Sequence, residues 1–444
     1  MRFAITTLGC KANQYDTGTI AQVLIKNGFL QVRPGDGCDV CIINTCAVTS
    51  ESVRKSHQAI RKLKKHEPDA LFAVCGCQTK LDSQSVASIG VDLIGGTDDR
   101  EEFAKRVIKL VEGETALGRP QNHVGATAPG RPRKQITRTR ALLKIQDGCD
   151  NYCTYCIIPF TRGASQSMPL GEIEEKAKKL QEEGYKEIVV TGIEISSWQS
   201  NNLSVVPRIG TNPTSRHDKK TVTLPLVIAL QTISTTAPNA RLRLGSLDPQ
   251  VLTEDFILKL AQIPNLCNHF HISLQSGCDE TLKRMGRKYT TKQVLKAIKT
   301  LREKFPDCAI TADLIVGFPG ETDLEFAQTL ELIEKAGFSD MHIFPYSQRP
   351  GTAAESMPGQ VEKSIKQKRV LAAKEIAKQM KSAFLRSQTG KTVTVLFEQQ
   401  KGKYSIGHSS NYMKVAIHGK IDKNVLRNVK ISSIKDGLIL GKIV

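Results

Sequence analysis

Three cysteines lie close together in the stretch "DGCDNYCTYCIIPFTRG", which covers residues 147 to 163. Cys149, Cys153 and Cys156 have the spacing C-x3-C-x2-C. Disulfides need cysteines in pairs and structural zinc normally takes four ligands, so three thiols suit neither. Thiolates also bind iron–sulfur clusters, and a four-iron cluster held by three cysteines leaves one iron open to a substrate or cofactor. We favour this chemistry over a zinc knuckle with a distant fourth ligand and over ordinary loop thiols.

A second group of three cysteines is spread over the first 110 residues. Cys10, Cys46 and Cys77 each follow directly on a predicted strand. Strands and helices alternate here, which predicts a mostly parallel sheet with helices on both faces, as in Rossmann-like α/β domains. The carboxyl ends of parallel strands meet at one edge, so the three thiols could converge there. The predicted strands are "RFAITTL", "DVCIINT", "ALFAVCG" and "VDLIGG".

Six strand-like runs alternate with helical runs after a Gly-, Pro- and Arg-rich stretch at 113–140, which we interpret as a linker. This repeat predicts a partial (β/α)6 barrel with its active site at the carboxyl ends of the strands. One of its helices is predicted over 249–262, and residues 199–223 are predicted to form a mobile basic loop. The strands are "ALLKIQ", "EIVVTG", "RLRLGS", "HFHISL", "AITADLIVG" and "MHIFPY".

The last part of the chain has a different pattern. Residues 361–390 form one long helical run, and five short strands broken by Gly, Asn and Asp follow it. Strands of this length and spacing predict a small closed β-barrel, similar in size to OB-like RNA-binding modules.

The net charge of +19 is unevenly distributed. From Val361 to Val444 there are 18 Lys and Arg residues against 5 Asp and Glu residues, and Arg119 to Lys144 has seven basic residues and no acidic one. A polyanion, above all nucleic acid, is the partner that such segments favour, and a merely solvated basic face is the alternative. Neither a signal peptide nor a membrane-spanning apolar run is recognisable. We therefore expect a soluble, cytoplasmic protein whose twelve cysteines stay reduced unless they bind metal.

Six segments, in order along the chain, resemble the motifs of the radical S-adenosylmethionine (radical SAM) methylthiotransferases. The resemblance implies an N-terminal methylthiotransferase domain over 1–112, a radical SAM core over 141–386 that includes the long helix, and an RNA-binding TRAM domain over 387–444. The segments are "TLGCKANQYDT", "INTCAVT", "CDNYCTYCIIPFTRG", "HISLQSGCDETLKRMGRKYT", "DLIVGFPGETDLEF" and "HIFPYSQRPGTAAESMP".

The resemblance also implies two [4Fe–4S] clusters. Cys149, Cys153 and Cys156 correspond to the ligands of the cluster at which SAM is cleaved to a radical, and Cys10 and Cys46 to two ligands of an auxiliary cluster.

The third auxiliary ligand is either Cys75 or Cys77. In the family, Gly-Cys precedes an aromatic residue, Ala and Gln, whereas here Gln78, Thr79 and Lys80 follow. Gly76-Cys77 preserves the register of the motif, so we favour Cys77.

SAM contacts follow from the same resemblance. Tyr155 is expected near the adenine, and Gly192 in the turn that receives the SAM amino group. The family continues that turn with a polar residue, Gly and Tyr-Gly, where this chain has Glu194, Ser196 and Trp198. Further SAM-binding candidates lie at or near strand ends, and each could equally satisfy backbone groups: Ser246, Gln275 and Asp313.

The remaining cysteines and two histidines have simpler interpretations. Cys38 and Cys41 form an isolated C-x2-C that could be a redox or zinc half-site, but buried or spare thiols are favoured. His269 and His271 alternate on a strand, where core or pocket lining is favoured over a metal site. The other cysteines, Cys267, Cys278 and Cys308, are expected to be small core residues.

The motifs "LGCKANQYD" and "IQDGCDN" resemble the subfamily that acts on threonylcarbamoyladenosine in tRNA. The implied reaction adds a methylthio group to C2 of N6-threonylcarbamoyladenosine next to the anticodon. Isopentenyladenosine is the alternative substrate, and a non-enzymatic iron–sulfur or zinc RNA-binding protein is the alternative class. We expect a monomer that takes its electron from a donor such as flavodoxin or ferredoxin and has no membrane partner.

Overall fold

The computed structural model describes residues 1–116, 138–199, 224–435 and 437–444. The predicted loop at 199–223, apart from its first residue, and most of the predicted linker lie outside these residues. The chain divides into two compact units. The first comprises Met1–Arg138, Gly148–Ala164 and Ser347–Glu355, and the second comprises Thr139–Asp147, Ser165–Tyr346 and Ser356–Val444. The loop that carries Cys149, Cys153 and Cys156 therefore packs with the N-terminal residues, and the C-terminal barrel packs with the strands and helices of the predicted partial (β/α) barrel.

The first unit is built on a five-stranded sheet in the order β2-β1-β3-β4-β5. All neighbouring strands are parallel, which confirms the predicted N-terminal α/β architecture. The short strand β2 was not predicted from the sequence. The strands are β1 Arg2–Thr7, β2 Leu30–Val32, β3 Val40–Thr45, β4 Leu71–Gly76 and β5 Leu93–Ile94.

Helices cover both faces of this sheet. On β3, Ile42 packs in one apolar core and Ile43 in another, because successive side chains of a strand point to opposite faces. Both central strands, β3 and β4, are buried along their whole length, as parallel strands between two helical layers are. The helices of this unit are α1 Lys11–Lys26, α2 Ser50–His66, α3 Cys77–Leu81, α4 Ser83–Ala87, α5 Arg100–Ala116 and α6 Ile158–Arg162.

The second unit contains the predicted partial barrel. Parallel strands form a sheet in the order β10-β9-β6 and another in the order β11-β12-β13-β14. Only Gly245 separates β10 from β11, so the two sheets follow one another along the chain. The strands are β6 Ala141–Lys144, β7 Gln146–Asp147, β8 Gln166–Ser167, β9 Glu187–Thr191, β10 Arg241–Leu244, β11 Ser246–Leu247, β12 His269–Gln275, β13 Ala309–Val316 and β14 Asp340–Pro345.

Helices alternate with the barrel strands as predicted, but the region near residue 250 differs from the prediction. The prediction of a single helix over 249–262 was wrong. A 3-10 turn at Pro249–Val251 comes first, and α9 is a new helix that begins because the Thr253 hydroxyl accepts a hydrogen bond from the Phe256 N–H. The short α10 was not predicted. The helices are α7 Leu170–Glu182, α8 Pro225–Thr236, α9 Glu254–Leu260, α10 Asp279–Arg284, α11 Thr291–Lys304 and α12 Asp323–Ala336.

The predicted long helix is α13, Lys363–Ser387, and five strands after it close into a barrel in the order β15-β16-β17-β19-β18. Val395, Phe397 and Val415 belong to its apolar core. None of the helices within the described ranges combines the length and the apolar composition of a membrane span. The strands are β15 Thr392–Lys401, β16 Tyr404–Ser409, β17 Lys414–His418, β18 Val425–Lys435 and β19 Leu438–Ile443.

Glu187 at the start of β9 connects the two barrels of the second unit. Its buried carboxylate accepts from Arg241 Nε at 2.5 Å and from Arg243 Nε at 2.8 Å. Arg241 also donates to the carbonyl of His408 and Arg243 to that of Ser409, in the C-terminal barrel. Burial by itself would raise the pKa of Glu187, but the two guanidinium groups lower it to about 2. The C-terminal barrel is thus docked by buried ionic hydrogen bonds.

Candidate functional site

Cys10, Cys46 and Cys77 lie at the same edge of the N-terminal sheet. Cys10 precedes α1, Cys46 follows β3 directly, and Cys77 is the first residue of α3 after β4. The strands that lead to them, β1, β3 and β4, are neighbours in the sheet. The structure therefore brings together the three thiols that the sequence placed at strand ends.

Two glycines allow these loops to approach one another. Gly9 has a φ of +97°, and a Cβ there would lie 3.0 Å from the Cys46 sulfur. Gly76, before Cys77, has a φ of +109°, and a Cβ there would lie 2.5 Å from the Asn44 side-chain oxygen. Both positions need left-handed backbone and close contact, which only glycine provides without strain.

Buried polar side chains hold the loops in place. The Asn13 amide donates to the carbonyls of Leu8 and Thr45 at 2.8 and 2.9 Å, which joins the end of β1 to the end of β3. The Thr45 hydroxyl donates to the carbonyl of Cys75 at 2.7 Å, which joins β3 to β4. The positions of the cysteines are thus determined by hydrogen bonds between the strand ends.

Arg162 is a functional candidate that sequence reasoning missed. Its guanidinium donates to Asp16 at 2.9 Å, and both side chains are 1% exposed. It also hydrogen-bonds the Cys77 thiol, where burial raises the pKa and the positive charge of Arg162 opposes that increase. Such a cation favours the thiolate that a metal needs. The only signal in the sequence was the position of Arg162 at the end of the motif "CDNYCTYCIIPFTRG".

The structure separates Cys77 from Cys75. The Cys77 thiol interacts electrostatically with Cys10 and Cys46, as expected for one member of a trio. Cys75 is 0% exposed within the apolar core beside β4, and burial raises its pKa to about 12. Cys77 is therefore the residue that faces the other two thiols.

The spacing of the three thiols bears on what they can hold. Ligands of one metal ion lie close together, and within the described residues only His271, Asp313 and His342 place three donor atoms within 4.8 Å of one another. Cys10, Cys46 and Cys77 are more widely spaced. Thiolates are soft donors of the kind that bind iron–sulfur clusters as well as single ions.

Cys149, Cys153 and Cys156 lie in a loop that follows β7. Gly148 opens the loop with a φ of +68°, and a Cβ there would lie 1.9 Å from the carbonyl oxygen of Ala164. The loop is closed by a hydrogen bond from the Cys149 N–H to the Gly163 carbonyl at 3.1 Å. Cys153 is buried and the other two cysteines are partly exposed. A short closed loop with three thiols fits the ligands of one iron–sulfur cluster.

The candidate SAM contacts lie mostly at the carboxyl ends of barrel strands. Gly192 follows β9, Ser246 follows β10 after one residue, and Gln275 ends β12 with a φ of +63°. Tyr155 lies, half-buried, in the cysteine loop of the first unit. Asp313 lies further from a strand end, in the middle of β13. Their binding of SAM stays a prediction.

Gln146 orders the glycine turn and was not predicted. Its side-chain oxygen accepts from the N–H groups of Ile193 and Glu194 at 3.0 and 2.8 Å. A Cβ at Gly192 would lie 2.8 Å from the Gln146 carbonyl oxygen, so the turn passes directly over this residue. The turn keeps a defined shape although its sequence differs from that of the family.

Glu194 in the same turn has an unusual environment. Its carboxyl is close to that of Asp248, which accepts from Arg287 at 2.7 Å. Burial and the charge of Asp248 raise the pKa of Glu194 to about 7. Glu194 therefore changes its charge near neutral pH.

The other cysteines and His269 have the simpler roles that were favoured. Cys267, Cys278 and Cys308 are buried. His269 is also buried and packs on the ring of Tyr412, with centroids 4.9 Å apart.

Cys38 and Cys41 approach each other at 3.0 Å between sulfurs. Within the described residues no third metal-ligating side chain joins this pair at the spacing of a single-ion site.

Comparison with known proteins agrees with this architecture. The radical SAM superfamily model matches residues 143–333, and the model of uncharacterized protein family UPF0004 matches residues 2–96. The structure is similar to that of the radical SAM methyltransferase TsrM from Kitasatospora setae, with a TM-score of 0.55 and 13% identity over 80% of this chain and 77% of that one. At this identity the likeness shows the fold. The fold and the cysteine loop define a radical SAM enzyme.

Curated relatives define the class more closely. Threonylcarbamoyladenosine tRNA methylthiotransferase MtaB of Bacillus subtilis is 33% identical over 98% of this chain and 94% of its own length. The protein of the same name from Thermotoga maritima is 35% identical over 92% of this chain and 90% of its own length. A tRNA-2-methylthio-N(6)-dimethylallyladenosine synthase from Alkaliphilus oremlandii is 30% identical over 89% of this chain and 82% of its own length. The chain belongs to the radical SAM tRNA methylthiotransferase family, and it is a transferase that uses SAM and a [4Fe–4S] cluster.

Proposed function

We propose that this protein adds a methylthio group to C2 of N6-threonylcarbamoyladenosine next to the anticodon of tRNA. The observation that carries the proposal is the convergence of Cys10, Cys46 and Cys77 in the unit that also contains the loop of Cys149, Cys153 and Cys156. A transfer of sulfur needs a site for sulfur as well as a site for radical generation. Two separate trios of thiols suit these two tasks.

Each trio has a distinct role in the proposal. Cys149, Cys153 and Cys156 hold the [4Fe–4S] cluster that binds SAM, and Cys10, Cys46 and Cys77 hold a second [4Fe–4S] cluster. When bound, these groups supply the one-electron cleavage of SAM and the sulfur that is methylated and transferred. The guanidinium of Arg162 places a positive charge beside the Cys77 thiol. The buried side chains of Asn13 and Thr45 keep the three strand ends at a constant spacing through their hydrogen bonds.

Recognition of tRNA is proposed for the C-terminal barrel together with its helix. From Val361 onward there are 18 basic residues and 5 acidic ones. Phosphate contacts from Lys and Arg give affinity that falls steeply with salt, and a target base in a loop can be turned out of its stack at low cost. Because the ion pairs of Glu187 fix this barrel to the rest of the second unit, the barrel can hold bound RNA in a defined position.

The choice of adenosine rests on the names of the relatives and on the motifs "LGCKANQYD" and "IQDGCDN". Nucleoside mass spectrometry of tRNA from a deletion strain without a second homologue tests it. We expect the methylthiolated threonylcarbamoyladenosine to disappear and to return when the gene is restored. Loss of methylthiolated isopentenyladenosine instead would contradict the proposed substrate.

Iron and sulfide analysis of the anaerobically reconstituted protein tests the two-cluster part. We expect about eight irons per chain, since each [4Fe–4S] cluster has four. A C149A/C153A/C156A variant should keep about four. A fully reconstituted wild-type protein with about four irons would contradict the second cluster.

A further inference from the structure

Arg349 is a buried arginine that pairs with no carboxylate among the described residues. It is 5% exposed, and its Nε has no hydrogen-bond partner. Its Nη1 donates to the Ser50 hydroxyl over a long distance of 3.5 Å. The other buried arginines of the described ranges each have a carboxylate partner: Arg100 pairs with Asp16, Arg243 with Glu187 and Arg369 with Glu321. A buried cation is costly unless an anion lies beside it, so Arg349 needs a negative charge that the described acids do not supply.

The segment 347–355 contacts the loops of both trios of cysteines, and it belongs to the same compact unit as they do. At its start, the Ser347 hydroxyl accepts from the N–H of Ser50 at 3.1 Å. Ser50 is the first residue of α2, the helix that follows β3 and its cysteine. Near the end of the segment, the Ala354 N–H donates to the Thr154 carbonyl at 2.8 Å, within the other cysteine loop. The backbone that carries the arginine is thus held against both loops.

A hydrogen-bonded turn fixes the backbone at Arg349. The buried Thr352 hydroxyl donates to the Arg349 carbonyl at 2.7 Å. Glu355, the acid of this segment, accepts from the Gly351 N–H at 2.8 Å. The carboxylate of the segment therefore stabilises the turn and does not pair with the guanidinium.

The Cys46 thiol is the group with which the charge of Arg349 interacts. Burial lowers the pKa of Arg349, and the interaction with Cys46 opposes that decrease. Cys46 also interacts with Cys10, and Cys77 interacts with both. The three thiols therefore have two guanidinium groups nearby, that of Arg162 at Cys77 and that of Arg349 at Cys46. Because Arg162 has a carboxylate partner, the uncompensated positive charge is that of Arg349.

We propose that Arg349 is the counter-cation of the cluster held by Cys10, Cys46 and Cys77, and that its charge raises the reduction potential of this cluster. The inference rests on the second cluster of the proposed function. Three thiolates outweigh the positive charge of an oxidised four-iron core, so the loaded site is anionic and compensates the buried guanidinium. Net charge and hydrogen bonds to sulfur set the potentials of such clusters. Since reduction adds negative charge, a nearby buried cation stabilises the reduced form more than the oxidised form.

The experiment measures the midpoint potential of this cluster in the full chain that carries C149A/C153A/C156A, where it is the only cluster. The reconstituted protein is titrated anaerobically with dithionite and redox mediators, and the reduced cluster is followed by electron paramagnetic resonance. R349Q is expected to lower the ratio of reduced to oxidised cluster at a set potential about tenfold, a shift of about 59 mV toward more negative potential. R349K keeps the positive charge and is expected to shift the potential less than R349Q.

R61Q is the matched control, because Arg61 is exposed on α2 in the same compact unit and should leave the potential unchanged. Iron and sulfide contents are measured for each variant. An R349Q chain that holds about four irons at an unchanged potential would overturn the inference. So would a shift by R349K as large as that by R349Q, because loss of packing and not loss of charge would then be the cause.

Iron content decides the case in which R349Q assembles no cluster. A cluster retained by R349K then supports the inference, and loss of the cluster from both variants overturns it.

The chain with Arg349 intact separates this inference from the proposed function. If that chain holds no cluster after reconstitution, the second cluster of the proposed function fails and the inference fails with it. A cluster that is present and whose potential does not respond to R349Q contradicts the inference alone.

Discussion

Arg162 and Asp16 form an ion pair of 2.9 Å although 146 residues separate them in the chain. Arg162 ends the short helix α6 behind the loop of Cys149, Cys153 and Cys156, and Asp16 lies on α1 behind Cys10. Arg100 also donates to Asp16, at 3.2 Å. One buried carboxylate thus joins the segments that carry the two trios of cysteines.

Removal of one member of this pair should be costly. R162A removes one of the positive charges that pair with the buried carboxylate of Asp16. Breaking a buried ion pair in this way costs about 3–5 kcal/mol of stability. We expect a lower free energy of unfolding in urea. R54A is the control, because Arg54 pairs with Glu51 in solvent, where such pairs contribute little to stability. Equal effects of R162A and R54A would contradict the importance of the buried pair.

Cys75 and Cys77 provide a matched pair of substitutions. C77A should lower the iron content of the reconstituted protein by about four per chain, because a [4Fe–4S] cluster loses a ligand. C75A should keep the iron and lose only packing in the core around β4. Iron and acid-labile sulfide analysis decides between them. Loss of iron from C75A with full retention by C77A would reverse the assignment.

The raised pKa of Glu194 makes stability depend on pH. Its native pKa of about 7 lies above its ordinary value, so the native state keeps a proton that the unfolded chain releases. Stability should therefore fall as pH rises through this interval, because Glu194 becomes charged beside Asp248. E194Q removes this titration, and its Tm should fall less than that of wild type between about pH 5 and about pH 8. E174Q, on the exposed face of α7, should follow wild type.

Glu187 has the opposite dependence. Its native pKa of about 2 lies below its ordinary value, so its stabilising effect is complete above the unfolded pKa and is lost as pH falls toward 2. E187Q leaves Arg241 and Arg243 without a buried counter-ion and should lose about 3–5 kcal/mol at neutral pH. The free energy of unfolding of E187Q should also fall less steeply than that of wild type as the pH is lowered toward 2. Protease resistance of the C-terminal barrel equal to that of wild type would contradict its role in docking.

Much of the fold could be predicted from local pattern. The strands β1, β3 and β4 were recognisable because strands of a parallel sheet are continuous apolar runs. Elements with little apolar periodicity were missed, such as β2 and α10. The helix predicted over 249–262 failed because an internal cap at Thr253 competes with continuation from the preceding turn.

The sequence by itself determined the chemistry: six cysteines in two trios, their places after strands, and the family motifs around them. Such information is local, since it depends on residue type, spacing and strand order. Only the tertiary structure showed that Cys77, and not Cys75, interacts with Cys10 and Cys46, placed Arg162 beside Cys77 and Asp16, and united His271, Asp313 and His342. These are contacts between residues distant along the chain, and they depend on how strands align and loops close, which no short stretch of sequence encodes.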